Sequence, residues 1–358
     1  MLADAVDPLT IRRALVIKLR HHGDVLLTSP VFTVLKNHIP HIDLDALVYA
    51  DTAEMLSGHP SIEQVHTVDR AWKKRDPFTQ LLQEWRLLRK LRARDYDLLI
   101  HLTESSRGAA LAFLLHPRAA VTRDYGPKRG WFWRTAFSHR YRVPGKPRHT
   151  VEVHLDALRR IGIYPNTDER ALVLTPGEDA NASVQYLLQS HGLGPRGFIH
   201  LHPTSRWLFK CWEPEKYAAL INALQDAGER VVLTAAPNDQ ELQFLGSITV
   251  QLRKQPINLA GKLNLKQLAA LTAQAKCFIG VDSVPMHIAA AMQTPTVALF
   301  GPSGDLEWGP WQVKSRVITS NHSCRPCGLD GCGNSKVSEC LTTLPVERVL
   351  NAVNEILR

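Results

Sequence analysis

The chain of 358 residues predicts an α/β protein built as two doubly wound, Rossmann-like domains facing each other across a central cleft. Three observations lead there. Short continuous apolar runs alternate with helical patterns along almost the whole length, as expected of parallel sheets covered on both faces. The alternation pauses between residues 143 and 179, where Pro144, Gly145, Pro147, Pro165, Pro176 and Gly177 collect around a single helix, and then resumes. The length suffices for two separate cores. The expected division is residues 1–175, residues 176–340 and a closing helix, 341–358, with packing back onto the first domain as one option.

In the first domain residues 14–19 read as a buried strand, followed by Arg20-His21-His22-Gly23-Asp24 and one helix over 25–36. Asp24 thus falls in the first turn of a helix at a strand's carboxyl end, where open α/β sheets place their sites. Residues 44–49, 65–68 and 98–102 are further strands, with an amphipathic helix over 81–91 and another over 151–161. In the second domain residues 197–201, 230–234, 277–281 and 296–300 are strands. Helices are expected over 214–228, 264–275, 286–292 and 342–358, the last with Val346, Val349, Leu350, Val353 and Ile356 on one face.

The formal charge is +9, and the excess is clustered. Residues 118–148, including Arg118, Lys128, Arg129 and Arg134, hold many basic side chains against a single acid, Asp124. A second group runs from Arg70 to Arg94. This density, with Trp131, Phe132 and Trp133 inside it, points to an anionic partner. No apolar run approaches the roughly 18 residues of a membrane span. The first residues carry acids and no basic n-region, so no signal peptide and a cytoplasmic location are expected.

The most informative stretch is residues 277–308, CFIGVDSVPMHIAAAMQTPTVALFGPSGDLEW. Asp282 and Ser283 stand at an N-cap position between two apolar runs, just before Pro285 and a helix. A helix that starts at a strand's carboxyl end turns unpaired N–H groups and the positive end of its dipole outward, which suits a phosphate. Ala289, Ala290 and Ala291 let that helix lie close to the sheet. Gly301, Pro302, Ser303 and Gly304 offer a second backbone-rich loop. From these residues alone, a strand-helix-strand unit without any ligand is equally open.

The segment DSVPMHIAAAMQTPTVALFGPS resembles the signature of the lipopolysaccharide core heptosyltransferases, glycosyltransferase family 9, with Val284 where that family usually carries glycine. IKLRHHGDVLLTSP and HLHPTSRWLFKCWEPEKYAAL resemble two further motifs of the family, in order, so the likeness spans nearly the whole chain. It implies the GT-B fold and inverting transfer of heptose from ADP-L-glycero-D-manno-heptose to a heptose of the lipopolysaccharide inner core, adding the branching third heptose. Asp24 then takes the place of the catalytic base and Lys210 that of a lysine meeting the leaving diphosphate. Thr204, Ser205 and Arg206 fall in the donor loop, and Asp239 or Glu241 near the ribose. Asp282, Ser283 and His287 complete the donor side. The implied partners are ADP-heptose and a phosphorylated inner-core glycolipid, without nucleic acid and with peripheral contact at the cytoplasmic face of the inner membrane left open.

Such a transfer needs a base for the incoming hydroxyl and positive charge for the departing diphosphate. Neither task requires a metal, so no cofactor is expected. Asp43-Leu44-Asp45 and Asp95-Tyr96-Asp97 read as strand-edge acids, and His200 and His202 as satisfied strand histidines. Cys324, Cys327, Cys332 and Cys340 have the density of a structural zinc site, although the second C-x2-C pair is missing and reduced thiols are the first reading. Two other readings stay open at this point. One is another GT-B nucleotide-sugar transferase or epimerase; the other is a basic, zinc-containing nucleic-acid-binding protein.

Overall fold

The structure is a computed structural model that describes residues 4–126, 130–143 and 145–358; Lys128, Arg129 and Pro144, named above, lie outside them. The chain divides into two compact units, Met1–Val173 and Leu174–Arg358. Each is built on a six-stranded sheet whose pairings are all parallel.

In the first unit the strands are β1 (Arg13–Lys18), β2 (Asp43–Tyr49), β3 (Gln64–Val68), β4 (Leu98–His101), β5 (Ala119–Arg123) and β6 (His139–Tyr141), in the order β3-β2-β1-β4-β5-β6. The helices are α1 (His22–Leu26), α2 (Ser29–His38), α3 (Pro77–Arg92), α4 (Ser106–Leu115), α5 (Trp131–Ala136) and α6 (Thr150–Arg159). α3, α4 and α5 cover one face of the sheet, where Leu87, Leu91, Ala109, Leu111, Trp133 and Phe137 join Leu15, Ile17 and Leu99 in one core. Of the three aromatic residues within the basic stretch, Trp133 is therefore a core residue, while Trp131 and Phe132 are exposed.

The single helix expected over residues 25–36 is two. Pro30 supplies no N–H and clashes with a continuing turn, so the chain ends α1 at Leu26 and restarts with Pro30 in the first turn of α2. Thr28 bridges the break by donating its hydroxyl to the Val25 carbonyl at 2.6 Å. A short helix results, and Asp24 lies in its first turn.

In the second unit β7 (Ile199–His202), β8 (Val231–Leu233), β9 (Ile257–Asn258), β10 (Cys277–Val281), β11 (Thr296–Leu299) and β12 (Ser315–Ile318) take the order β12-β11-β10-β7-β8-β9. The helices are α7 (Glu178–Ser190), α8 (Pro214–Asp226), α9 (Asp239–Thr249), α10 (Leu265–Gln274), α11 (Val284–Ala291), α12 (Asp305–Trp308), α13 (Glu339–Thr342) and α14 (Val346–Leu357). Asn264 and Gln267 form a reciprocal capping box that starts α10. The closing helix spends its apolar stripe inside this unit. Val349, Ala352, Val353 and Ile356 pack with Trp212, Tyr217 and Ile221, and the Trp212 indole donates to the Leu344 carbonyl at 3.1 Å. Residues 341–358 thus contribute to the second unit's core.

Both sheets share one winding. The chain begins at a central strand, moves out to one edge, and returns beside its starting strand to build the other half. The reversal falls between β1 and β4 in the first sheet and between β7 and β10 in the second. Loops leaving neighbouring strands there diverge to opposite faces and open a crevice at the carboxyl ends.

Candidate functional site

At the reversal of the first sheet, Asp24 follows β1 on α1 with its side chain half-buried. Beneath it lies Lys18, the last residue of β1, whose Nζ is 3.6 Å from the Asp24 carboxylate. The same ammonium donates to the Leu102 carbonyl at 3.1 Å and to His154 Nε2 at 3.0 Å, while His154 Nδ1–H donates to the Leu27 carbonyl at 3.0 Å. Burial brings the Lys18 ammonium down to about 8, against an upward pull from Asp24. Burial and then the neighbouring Lys18 hold His154 neutral. The loop before α1 is fixed as well. His22 Nε2–H donates to the Asp51 carbonyl at 2.7 Å, and Arg70 bridges the Asp51 carboxylate and the Arg20 carbonyl.

Lys18 and His154 were not among the residues expected from sequence. The signal for Lys18 is a cation inside an otherwise buried strand, RALVIK. His154 sits in an amphipathic helix far along the chain and gives no local sign of its role.

At the reversal of the second sheet, the loop after β7 carries Thr204, Ser205 and Arg206 and ends in a 3-10 turn, Leu208–Lys210. The loop after β10 carries Asp282 and Ser283. The two loops meet where Lys210 Nζ donates to Asp282 Oδ2 at 2.6 Å. Asp282 is therefore engaged by a lysine instead of capping α11. Ser283 is the N-cap, and neither residue caps the helix with its side chain. Gly280 allows β10 to press against β7: a Cβ there would lie 2.7 Å from the Phe278 ring and 3.2 Å from the His202 carbonyl.

A buried chain of polar groups supports this loop from below. Thr272 and Thr234 flank the His200 ring at 3.1 and 2.7 Å; Thr234 also meets His202 Nδ1 at 2.8 Å. His202 Nε2 lies 3.2 Å from the Thr204 hydroxyl, which donates to Glu241 at 2.6 Å. Glu241 further accepts from the Ala236 N–H and the Asn238 amide. Both of its oxygens accept inside the unit, so Glu241 helps to organise the Thr204 loop. Asp239 stands exposed in the first turn of α9. Ser205 is buried and accepts from the Trp207 N–H at 3.3 Å, whereas Arg206 is exposed beside the Trp207 ring. His287 is buried in a helix that is apolar on nearly every side.

The histidines carry a testable consequence. Burial lowers His59 to about 4 and holds His200 and His202 low, with Glu241 pulling His202 the other way. The folded protein keeps these rings neutral while an unfolded chain protonates them below about 6.5. The stability they permit is fully present above that pH and is lost as pH falls toward 4, on the order of 1–3 kcal/mol each for His59 and His202. Urea midpoints measured at pH 7.5, 6 and 5 are expected to fall steadily; a flat profile would contradict the neutral network.

The carbonyls of the glycine-rich exit after β11 are engaged within the unit. The Gly301 and Pro302 carbonyls accept from Arg325 Nε and the Gly328 N–H, and a Cβ on Gly301 would lie 2.6 Å from Leu341. The exit thus anchors the cysteine-bearing segment. Of those cysteines, Cys324 and Cys327 are exposed, Cys332 is half-buried and Cys340 is buried, its thiol pushed up to about 11 by burial. Among the described residues no three His, Cys, Asp or Glu side chains are grouped as a metal site. Asp45 is an internal acid bonded to His66, Arg94 and Tyr96, and Asp97 accepts from the Arg12 and Arg13 N–H groups. Among the described residues no helix is long and apolar enough to cross a membrane.

Comparison with known proteins gives a concordant picture. The model of glycosyltransferase family 9 (heptosyltransferase) matches residues 84–338. Lipopolysaccharide heptosyltransferase 3 of Escherichia coli strain K12 is 34% identical over 344 residues, covering 95% of this chain and 96% of that protein. Among solved structures, a family 9 glycosyl transferase from Veillonella parvula superposes with a TM-score of 0.84 at 24% identity over 99% of both chains. The E. coli heptosyltransferase WaaC with ADP gives a TM-score of 0.75 at 22% identity, over 96% of this chain and 99% of that one.

Proposed function

The chain belongs to glycosyltransferase family 9, and from that premise we propose that it moves heptose from ADP-heptose to a heptose of the lipopolysaccharide inner core with inversion, adding the branching third heptose. The observation that carries this reading is the nearly full-length likeness to a heptosyltransferase 3. Family membership and the GT-B fold of the two parallel-sheet domains do not favour the nucleic-acid-binding reading.

In this reading the Asp24 carboxylate takes the proton of the acceptor hydroxyl as its oxygen bonds to the anomeric carbon. The bond from that carbon to the diphosphate breaks, and ADP leaves with the electron pair. Lys210 and the N–H groups at the start of α11 meet the charge that develops there. Asp282 keeps the Lys210 ammonium at the end of β10 until the diphosphate competes for it. Thr204 and Ser205 shape the loop, Arg206 adds exposed positive charge, and Asp239 and Glu241 are the candidate acids for the ribose. Ser283 and His287 complete the donor side. The acceptor is an amphiphile, which places the work at the cytoplasmic face of the inner membrane.

The test is transfer from ADP-heptose to a core glycolipid carrying two heptoses, in excess EDTA, with the product followed by mass. Addition of one heptose at an undiminished rate is expected, because protein cations stabilise the leaving group. No transfer to any heptose-bearing acceptor by the folded protein would overturn the reading.

A further inference from the structure

From the outer surface of one helical layer we infer that the first unit docks on an anionic phospholipid bilayer through α3, α4 and α5. The inference rests on the amphiphilic acceptor proposed above and names the surface by which the enzyme would reach it.

α3 is amphipathic in an unusual way. Leu87 and Leu91 face the core, which accounts for one stripe. The opposite stripe, at spacings of three and four residues, begins with Phe78, Leu81 and Trp85, which are 77%, 68% and 52% exposed, and continues with Arg89 and Arg92. A solvated helix face would carry polar residues there. Arg89 lies over the Trp85 ring, 4.8 Å from its centroid. α3 is tied to α4 by an Arg107–Glu84 ion pair and by Arg92 donating to the Leu114 carbonyl at 3.1 Å. On α4 the half-exposed Phe113 meets Phe132 of α5 with ring centroids 5.5 Å apart, and Trp131 beside it is 76% exposed. Since the inner faces of α3, α4 and α5 fill one core, these side chains share the outer surface of one layer.

Charge selects the partner. Met1–Val173 holds 27 Lys and Arg against 19 Asp and Glu, a net +8 of the +9 carried by the whole chain. Arg86, Arg89, Lys90 and Arg92 close α3 with no acid after Glu84, itself paired to Arg107. Basic side chains alone would suit nucleic acid, and an apolar patch alone a protein. Insertable aromatic rings beside arginines fit a bilayer interface, where rings enter the acyl boundary and cations meet anionic headgroups.

The experiment is flotation of the full-length protein with vesicles of phosphatidylethanolamine and phosphatidylglycerol, against phosphatidylcholine alone, with transfer measured in parallel. Two variants are used: Phe78→Ser/Leu81→Ser/Trp85→Ser and Arg86→Glu/Arg89→Glu/Lys90→Glu. The intact protein is expected to float with the anionic vesicles only, and each variant to bind them about tenfold or more weakly. Both should transfer at the intact rate to a deacylated, soluble acceptor, which also reports that they fold, and lose rate on vesicle-embedded acceptor. No flotation of the intact protein, or loss in the charge variant alone with equal binding by the aromatic one, would overturn the surface. Flotation that depends on both stripes, with no transfer even to soluble acceptor, would leave the surface standing and sink the proposed reaction.

Discussion

Asp24→Asn is expected to lower kcat for heptose transfer by about a hundredfold to ten-thousandfold while ADP binds as before. The amide keeps the shape of the carboxylate and loses the ability to accept a proton. The surroundings sharpen the expectation. Lys18 is held by the Leu102 carbonyl and His154, so its ammonium cannot swing away from position 24. With Asn at that position a buried cation keeps only neutral partners, and the variant should also unfold more easily, by about 3 kcal/mol or less, since Asp24 is partly exposed. Calorimetric ADP binding, single-turnover rates and urea midpoints separate the three effects. Undiminished turnover would remove Asp24 from the chemistry and leave the reaction class untouched.

Lys210→Ala is the second large effect, about a hundredfold to a thousandfold in kcat/KM, from losing a donor aimed at developing charge. Part of that loss is indirect, because the Asp282 carboxylate, 2.6 Å from the ammonium, would be left buried without its cation. Asp282→Asn and the double variant close a cycle that apportions the two contributions. The double variant is expected to lose less than the sum of the single losses. Lys210→Arg should recover part of the rate, since it restores charge but not the compact ammonium. A change in kcat/KM below about threefold for Lys210→Ala would place the leaving-group charge elsewhere.

The residues explain which of these features could be read in advance. The β10-α11-β11 unit was legible because its signals are local: two apolar runs, a proline in the first helical turn and a row of alanines. The parallel, doubly wound class of both sheets followed from the alternation of such runs, whereas the short strands β5, β6, β9 and β12 carry too little pattern to be read. The α1–α2 break was missed although Pro30 was in plain view, because the apolar pattern continues through it while the hydrogen bonding does not. The Glu241–Thr204 hydrogen bond joins residues 37 apart, a distance no local pattern spans. The Lys18–His154 contact joins residues 136 apart and left only a lysine in a buried strand as its trace. His287 was readable in principle, since VPMHIAAA is apolar around its whole circumference and buries whatever polar side chain it carries.

One base, one clamped leaving group and a single displacement make up the central claim, and the anomeric configuration of the new linkage tests it most directly. Heptose transferred from a donor of defined configuration to the two-heptose acceptor would be examined by NMR. The configuration opposite to the donor's is predicted, because the proposed reaction is one displacement by an acceptor hydroxyl that Asp24 deprotonates. Retention of the donor's configuration would contradict the account, since a single displacement inverts the anomeric carbon.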